Sequence, residues 1–252
     1  FLVSGGAYQK IISASDIKKG DKVIEVGPGL GTLTQYLLNA GAEVIAIEKD
    51  RQLAEYLKTK FAGQKNVTIR TGDILKFDFQ DAGLPAKYKI IGNIPYYLTS
   101  HLVRIIFEKW PRPELIVFMI QKEVAQRMSA TPPNMSLLAV SVQYYAQPKI
   151  ISYVSHGSFF PLPEVDSAII KLTPEMRENG FEANTKEFFR IAKSGFAEKR
   201  KQLGNNLAKG LKLSKKSTEE KLESAGIDPK RRAETLTIEE WQRLTNILLP
   251  PH

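Results

Sequence analysis

The residues Asn93-Ile94-Pro95-Tyr96 combine groups that could hold and orient the amine of a base. The lone pair of the exocyclic amine of adenine is delocalised into the ring, so its attack on an electrophile requires hydrogen-bond acceptors that polarise and orient the nitrogen. The Asn93 side-chain oxygen and the Pro95 carbonyl supply two such acceptors, and Tyr96 offers a face for a flipped-out base. Taken alone, these residues and Tyr97 are also typical of an Asn-initiated proline turn with two core tyrosines.

A glycine-rich stretch, Glu25-Val-Gly27-Pro-Gly29-Leu-Gly31, follows a β-branched run and precedes a helical pattern. At the carboxyl edge of a parallel sheet, such a loop lets the backbone approach a cofactor closely. Two cofactor classes are open, a dinucleotide and S-adenosylmethionine. The spacing is G-x-G-x-G rather than G-x-G-x-x-G, and Pro28 lacks an amide donor where a pyrophosphate would need one.

Two acidic residues follow the next two β-branched runs. Glu48 ends the second run and can accept both ribose hydroxyls in either cofactor class. Asp73 follows the third run and suits a hydrogen bond from an adenine amino group, although Asp is also typical of a cap at this position. Together with the Asn93 motif, these successive strand ends favour a site that binds a cofactor and a base.

The elements that position these residues alternate between β and α patterns from residue 22 to residue 120. The patterns predict strands at 22–26, 43–47, 67–70, 88–91 and 114–120, with helices at 32–40, 51–61 and 99–109. This alternation predicts a doubly wound sheet of parallel strands, with the chemistry-bearing residues at its carboxyl edge.

The remaining residues show two further patterns. Helices are predicted at 121–129 and 136–146, and strand-like runs at 149–154 and 166–172. Phe159-Phe-Pro-Leu-Pro-Glu164 joins the two runs, which predicts a hairpin at the sheet edge. From residue 185 to residue 249 only helical periodicity is present, so we expect one domain over residues 1–180 and a small all-α domain over 181–252.

Positive charge is concentrated in one segment. The 252 residues include 36 Lys and Arg against 27 Asp and Glu, a net charge of +9, and residues 186–216 hold ten bases and two acids, a net charge of +8. This density is typical of a nucleic-acid-binding surface, and it is densest at Lys199, Arg200 and Lys201. A solvated helix face is the alternative interpretation.

The composition also excludes several kinds of chemistry. The chain has no Cys and three His, so thiol nucleophiles and thiolate metal sites are excluded and a zinc site is not expected. The longest apolar runs are far shorter than the roughly 20 residues that span a bilayer, so we expect no membrane helix. A reducing compartment such as the cytoplasm fits this composition. Because the sequence begins at Phe1 rather than Met, it is compatible with an upstream segment.

These motifs together resemble the ribosomal RNA adenine N6,N6-dimethyltransferase family, in its bacterial small-subunit form. Phe1-Leu2 resembles the end of the Gln-x-Phe-Leu opening of the family. The other similar segments are, in chain order, 25–31, 46–50, 72–75, 93–97, 121–127, 159–167, 195–201 and 226–234. The chain departs from the family pattern at 132–136, where many members have a Tyr-Gly pair before the Ser.

The resemblance implies a Rossmann-like, S-adenosylmethionine-dependent methyltransferase sheet with a helical RNA-binding domain. It implies methyl transfer to N6 of two adjacent adenines in 16S ribosomal RNA, with S-adenosylhomocysteine as the product, during rRNA processing and ribosome biogenesis. The expected partner is small-subunit RNA or a pre-30S particle, bound by a cytoplasmic monomer with neither a metal nor a membrane.

The resemblance also implies roles for individual residues. Asn93 and the Pro95 carbonyl would hold the target amine, and Tyr96 would stack on the adenine. Phe159 would form a second aromatic wall, or it would only plug the sheet edge. The residues implied to contact S-adenosylmethionine are Leu2, Gly27, Glu48, Asp73 and Asn93.

Three other functions are alternatives to this one. An enzyme with the same chemistry could act on large-subunit RNA and confer antibiotic resistance, but the segment 226–234 favours the small-subunit type. A non-enzymatic relative could bind RNA or DNA as an assembly or transcription factor, which the intact Asn93 motif argues against. A nicotinamide dehydrogenase is disfavoured by the glycine spacing and by the lack of a proton donor such as Tyr-x-x-x-Lys.

Overall fold

The computed structural model describes residues 1–77, 79, 87–95, 98–175 and 185–248. The chain forms two compact units. The sheet unit consists of Phe1–Gln126 and Ala146–Pro174, and the helical unit consists of Arg127–Tyr145 and Glu175–His252. The segment Arg127–Tyr145 therefore belongs to the helical unit, whereas the sequence prediction assigned it to the domain that ends at residue 180.

The described residues of the sheet unit contain one seven-stranded sheet. Its strands are β1 (Lys22–Val26), β2 (Glu43–Glu48), β3 (Val67–Thr71), β4 (Lys89–Asn93), β5 (Leu115–Gln121), β6 (Ala146–Val154) and β7 (Ser167–Pro174). The order is β3-β2-β1-β4-β5-β7-β6. Strands β1 to β5 are parallel, and β7 is antiparallel to both β5 and β6. The predicted parallel sheet with an antiparallel edge hairpin is confirmed.

The helices of the sheet unit connect these strands. They are α1 (Gly5–Ser15), α2 (Thr32–Asn39), α3 (Arg51–Lys60), α4 (Thr99–Lys109) and α5 (Lys122–Met128), whose last two residues belong to the helical unit. Short 3-10 turns occupy Ile74–Lys76 and His156–Ser158. Polar caps start two of the helices, because the Ser4 hydroxyl accepts the Ala7 N–H and the Asp50 carboxylate accepts the amides of the first turn of α3.

One apolar cluster packs the sheet against its helices. On the sheet side it includes Val23, Val44, Ile91 and Val117. On the helix side it includes Ile11, Leu33, Leu37, Leu57 and Phe61. Burying a side chain of this size stabilises the fold by about 1.5–3 kcal/mol. This packing fixes the helices and the connecting loops relative to the strand ends, where the candidate site lies.

The helical unit has its own core. Its helices are α6 (Leu137–Gln143), α7 (Thr185–Gly195), α8 (Leu203–Leu211), α9 (Lys215–Ser224) and α10 (Ile238–Leu248), with a 3-10 turn at Ala233–Thr235. Trp241 is fully buried in this core, and its ring stacks on Phe196 with centroids 5.5 Å apart. The predicted helical character of residues 185–248 is confirmed. None of the described helices is long and apolar enough to cross a membrane.

Candidate active site

The register of the sheet brings the ends of three strands to one edge. Val26, the last residue of β1, lies opposite Ile47 of β2 and Gly92 of β4. Glu48 and Asn93 are the next residues on those two neighbouring strands. The glycine loop, Glu48 and Asn93 therefore share one edge of the sheet, as the sequence predicted.

The glycine loop is held open at one position and closely packed at another. Gly27 has φ of +64°, and a Cβ built on it would meet no heavy atom within 4 Å. Gly31 has φ of +73°, and a Cβ there would lie 2.6 Å from Leu57 Cδ2 and 2.7 Å from Phe61 Cε2. Both positions require a left-handed backbone that glycine adopts readily. Gly31 thus seats α2 against α3, whereas Gly27 leaves open space for a ligand.

Glu48 links the loop to the start of α3. Its side chain is buried; Oε2 accepts the Gly29 N–H and Oε1 accepts the Asp50 N–H, each at 3.0 Å. A carboxylate oxygen can accept a second hydrogen bond. Glu48 can therefore hold the loop and still accept the hydroxyls of a ribose.

Asp73 uses its two carboxylate oxygens differently. Oδ1 accepts the Leu75 N–H at 3.1 Å and so caps the 3-10 turn, while Oδ2 forms an ion pair with Lys49 Nζ at 3.0 Å. The Lys49 hydrogen bond, followed by the Leu75 amide, holds the pKa of Asp73 below its usual value. Asp73 is therefore a cap, which was one of the two roles that the sequence indicated for it. An ionised acceptor at this strand end also remains suited to an adenine amino group.

Asn93 and Pro95 follow β4 in a tightly positioned segment. A Cβ on Gly92 would lie 2.7 Å from the Val26 carbonyl oxygen, so glycine allows β4 to pass close to β1. The Ile94 N–H donates to Met119 O, and Leu98 N–H donates to Pro95 O, both at 2.9 Å. A carbonyl has two lone pairs, so Pro95 keeps one acceptor direction beyond this turn.

Tyr96, predicted to stack on the base, lies outside the described residues.

Leu2, predicted to contact the cofactor, pairs directly with Phe159, predicted to form an aromatic wall or to plug the sheet edge. They form an antiparallel bridge, and the Phe160 N–H donates to Phe1 O at 2.8 Å. Leu2 is buried, and its carbonyl accepts the Tyr8 hydroxyl at 2.8 Å. The Phe1 ring lies over Gly29, where an added Cβ would be 3.0 Å from Phe1 Cε1. One short segment thus contacts both the glycine loop and the loop that bears Phe159.

Glu25 is a further functional candidate, for which the sequence motifs predicted no specific role. It is 1% exposed; its Oε2 accepts the Thr34 hydroxyl at 2.7 Å, and its Oε1 has no hydrogen-bond partner among the described residues. Burial raises the pKa of Glu25 to about 8, against the lowering effect of the Thr34 hydrogen bond. An acid inside the apolar run 22–26 is the signal that could have identified it.

These residues fit S-adenosylmethionine. The edge offers open space above Gly27 and Gly72, where a Cβ would meet nothing within 4 Å. Acceptors from Glu48 and Asp73 line the same edge, and Glu25 adds a buried oxygen that has no partner in the described part of the chain. Among the described residues there is no group of three or more His, Asp or Glu side chains that could hold a metal ion.

The helical unit presents the basic triplet on a loop. Lys199, Arg200 and Lys201 are exposed between α7 and α8. The buried Asn206 holds the base of this loop, because its side-chain amide donates to Gly195 O at 2.7 Å and to Glu198 O at 3.0 Å. The three cations are therefore presented to solvent on an anchored turn.

The mostly parallel sheet, the glycine loop after β1 and the acidic residues after β2 and β3 define an α/β methyltransferase of the Rossmann-like class. The family model described as ribosomal RNA adenine dimethylase matches residues 1–249, and the chain belongs to that family. The resemblance inferred from the motifs is confirmed.

Three relatives illustrate this membership. The chain is 45% identical over 245 residues to ribosomal RNA small subunit methyltransferase A of Dehalococcoides mccartyi strain CBDB1, covering 97% of this chain and 84% of the relative. It is 30% identical to a dimethyladenosine transferase from Plasmodium falciparum, with a TM-score of 0.83 and coverage of 97% and 95% of the two chains. It is 26% identical to the 23S rRNA methyltransferase ErmE, with a TM-score of 0.80 and coverage of 98% and 99%.

Proposed function

We propose that this protein transfers methyl groups from S-adenosylmethionine to N6 of two adjacent adenines in the 16S RNA of the small ribosomal subunit. The observation that carries this proposal is the position of Asn93 and Pro95 beside the glycine loop, where β4 and β1 end together. The 45% identity to a small-subunit methyltransferase supports the small subunit over the large one.

S-adenosylmethionine, when bound, supplies an electrophilic methyl group on a sulfonium. Gly27 leaves space for the cofactor. The Glu48 carboxylate accepts hydrogen bonds from the ribose hydroxyls, and the Asp73 carboxylate accepts one from the adenine amino group. Leu2 contacts the cofactor and belongs to the N-terminal segment that also contacts the glycine loop. Asn93 completes the set of cofactor contacts at the end of β4.

The remaining residues orient the target base. Asn93 Oδ1 and Pro95 O accept the two hydrogens of the adenine N6, which directs the nitrogen lone pair toward the methyl group. Tyr96 and Phe159 stack on the base and fix its plane. Positioning of this kind is the main source of rate enhancement for a transfer between two bound reactants. The methylated amine is positively charged and strongly acidic, so it loses its proton to solvent without a dedicated base.

The helical unit supplies sequence-independent RNA contacts. Lys199, Arg200 and Lys201 meet phosphates, which positions the RNA without reading its sequence. On this proposal, the partner is small-subunit RNA or a pre-30S particle, bound by a monomer in the cytoplasm during ribosome biogenesis.

The test is mass spectrometry of ribosomal RNA after incubation of the protein and labelled S-adenosylmethionine with undermethylated 30S and 50S subunits. We expect dimethyladenosine in 16S RNA, and its loss in Asn93→Ala. Asn39→Ala, an exposed residue at the end of α2, is the matched control and should retain activity. Label found only in 23S RNA would overturn the substrate, and full activity of Asn93→Ala would overturn its role.

A further inference from the structure

Glu25 is a buried carboxyl whose hydrogen bonding is incomplete. Thr34 donates to Oε2 at 2.7 Å, whereas Oε1 is buried with no partner among the described residues. Leaving a charged oxygen buried and unpaired is costly, and a protonated carboxyl avoids most of that cost. The geometry therefore favours the neutral acid in the protein without ligand.

The groups around Glu25 do not stabilise a negative charge strongly. Its strand neighbours are Ala46 of β2 and Ile91 of β4, which are apolar. The titratable groups that face it are Glu48 of β2, which opposes its ionisation, and Tyr8 of α1, on which Tyr36 of α2 stacks. Among the described residues, the Thr34 hydroxyl and backbone amide are the groups that favour the carboxylate. The pKa of about 8 agrees with this arrangement.

The location of Glu25 makes it sensitive to a bound cation. It lies on β1, two residues before Gly27, so its backbone is roughly 7 Å along the chain from the loop where the cofactor would bind. A unit positive charge at about that distance, at an effective dielectric constant of about 20, favours ionisation of a carboxyl by roughly 50-fold. S-adenosylmethionine carries a net positive charge through its sulfonium and ammonium groups.

We propose that Glu25 is a carboxylic acid in the empty protein and becomes a carboxylate when S-adenosylmethionine binds, so that binding releases a proton from the protein. In this step the O–H bond of Glu25 breaks, the proton passes to solvent, and the cofactor cation compensates the new negative charge. Glu25 is thus a positioning residue for the cofactor, and this inference rests on the proposed function.

Cofactor affinity then depends on pH with a defined sign. The ionised form of Glu25 binds the cation better, so affinity rises as the pH rises toward the pKa of the empty protein and levels off above it. Binding near neutral pH therefore releases a substantial fraction of one proton from Glu25, and binding at a pH well above the pKa of the empty protein releases almost none.

The experiment is isothermal titration calorimetry of S-adenosylmethionine in two buffers of different ionisation enthalpy, phosphate and Tris at pH 7.0 and CHES and carbonate at pH 9.5. The difference in apparent enthalpy between the two buffers gives the number of protons released. At pH 7.0 wild type should release a substantial fraction of a proton more than Glu25→Gln, and this excess should disappear at pH 9.5. Glu25→Gln preserves size and the acceptor for Thr34. Equal proton numbers in the two proteins at pH 7.0 would overturn the inference.

A second variant tests the same point without changing Glu25. Thr34→Val keeps the shape of the side chain and removes the hydroxyl that stabilises the Glu25 carboxylate. Glu25 should then stay protonated to higher pH in the empty protein, so cofactor binding should release a proton at higher pH than it does in wild type. Infrared difference spectra should show loss of a protonated carboxyl band on binding, in wild type but not in Glu25→Gln. Binding without proton release contradicts only this inference, whereas absence of binding by wild type contradicts the proposed function as well.

Discussion

The Glu48 carboxylate accepts the backbone N–H of Gly29 at 3.0 Å, which ties the end of β2 to the loop that follows β1. The other carboxylate oxygen accepts the Asp50 N–H at the start of α3. A single buried side chain therefore fixes the position of the glycine loop and offers acceptors to a ribose. Loss of the Glu48 carboxylate should therefore change both the shape of the site and its affinity for the ligand.

Glu48→Gln should weaken binding of S-adenosylmethionine by about 10-fold or more, because a hydrogen bond to a charged group contributes roughly 1.5–3 kcal/mol. The amide substituent also presents a donor toward one of the two backbone N–H groups. Calorimetry measures the dissociation constant. Glu43→Gln, exposed at the other end of β2, is the control and should bind normally. Equal affinity of the two variants would exclude Glu48 from the cofactor site.

Substitutions at two glycines of the loop should affect protein stability and cofactor binding to different degrees. Gly31→Ala forces a Cβ to within 2.6 Å of Leu57 in a left-handed backbone, so it should lower the free energy of unfolding by about 2–4 kcal/mol. Gly27→Ala meets no neighbour and should cost only about 1–2 kcal/mol, while its methyl group intrudes on the ligand space and weakens cofactor binding. Urea denaturation and calorimetry measure the two effects. Similar unfolding free energies would contradict the packing role of Gly31.

Much of the sheet unit could be predicted from local pattern. The β-branched runs between residues 22 and 120 indicated five parallel strands, and parallel order alone implies that Glu48 and Asn93 share an edge. Helix α1 was not predicted, since Gly5 and Gly6 lower the helix propensity at its start. Its signals were the Ser4 cap and the apolar positions Ala7, Tyr8, Ile11 and Ala14, which are buried against the sheet.

Contacts between distant residues could not be predicted in the same way. No local pattern indicates that Leu2 pairs with Phe159, because a bridge between segments so far apart in sequence depends on the assembled sheet. Chain order also misassigned Arg127–Tyr145 to the sheet unit. Tyr144 of this segment packs on Phe188, with ring centroids 4.2 Å apart, inside the helical unit.

The Arg231–Glu240 pair should make the stability of the helical unit depend on pH. Arg231 donates to both carboxylate oxygens, at 2.6 and 3.0 Å, and this hydrogen bonding holds the pKa of Glu240 below its usual value of 4.5. A lowered folded-state pKa contributes stability above the unfolded-state pKa, and that stability is lost as the pH falls through the folded-state value. Because both side chains are partly exposed, we expect Glu240→Gln to cost only about 1 kcal/mol at pH 7.

The measurement is thermal or urea unfolding of wild type and Glu240→Gln as a function of pH. The difference between them should shrink as the pH falls below 4.5 and vanish once Glu240 is protonated in the folded state. Glu239→Gln removes the same charge from an exposed neighbour and should leave stability nearly unchanged. A difference that persists undiminished at the lowest pH would mean that Glu240 acts through packing rather than through its charge.

The exposed triplet Lys199, Arg200 and Lys201 should control the salt dependence of RNA binding. Each lysine or arginine that neutralises a phosphate adds roughly 0.7–0.9 to the slope of log affinity against log salt concentration. Reversal of all three to Glu should therefore weaken binding to 30S subunits and reduce that slope by about 2–3. Filter binding over a series of salt concentrations measures both quantities.

The matched control reverses three other exposed lysines, Lys18, Lys19 and Lys65, and so changes the net charge equally. These residues precede β1 and β3 in sequence, whereas the predicted site follows the strands. If the charge acts only through the net charge of the protein, both triple variants will lose slope equally. If the anchored loop between α7 and α8 contacts phosphates directly, only the Lys199, Arg200 and Lys201 variant will have a reduced slope, because counterion release requires local contact. An unaltered slope in the Lys199, Arg200 and Lys201 variant would exclude this loop from the RNA interface.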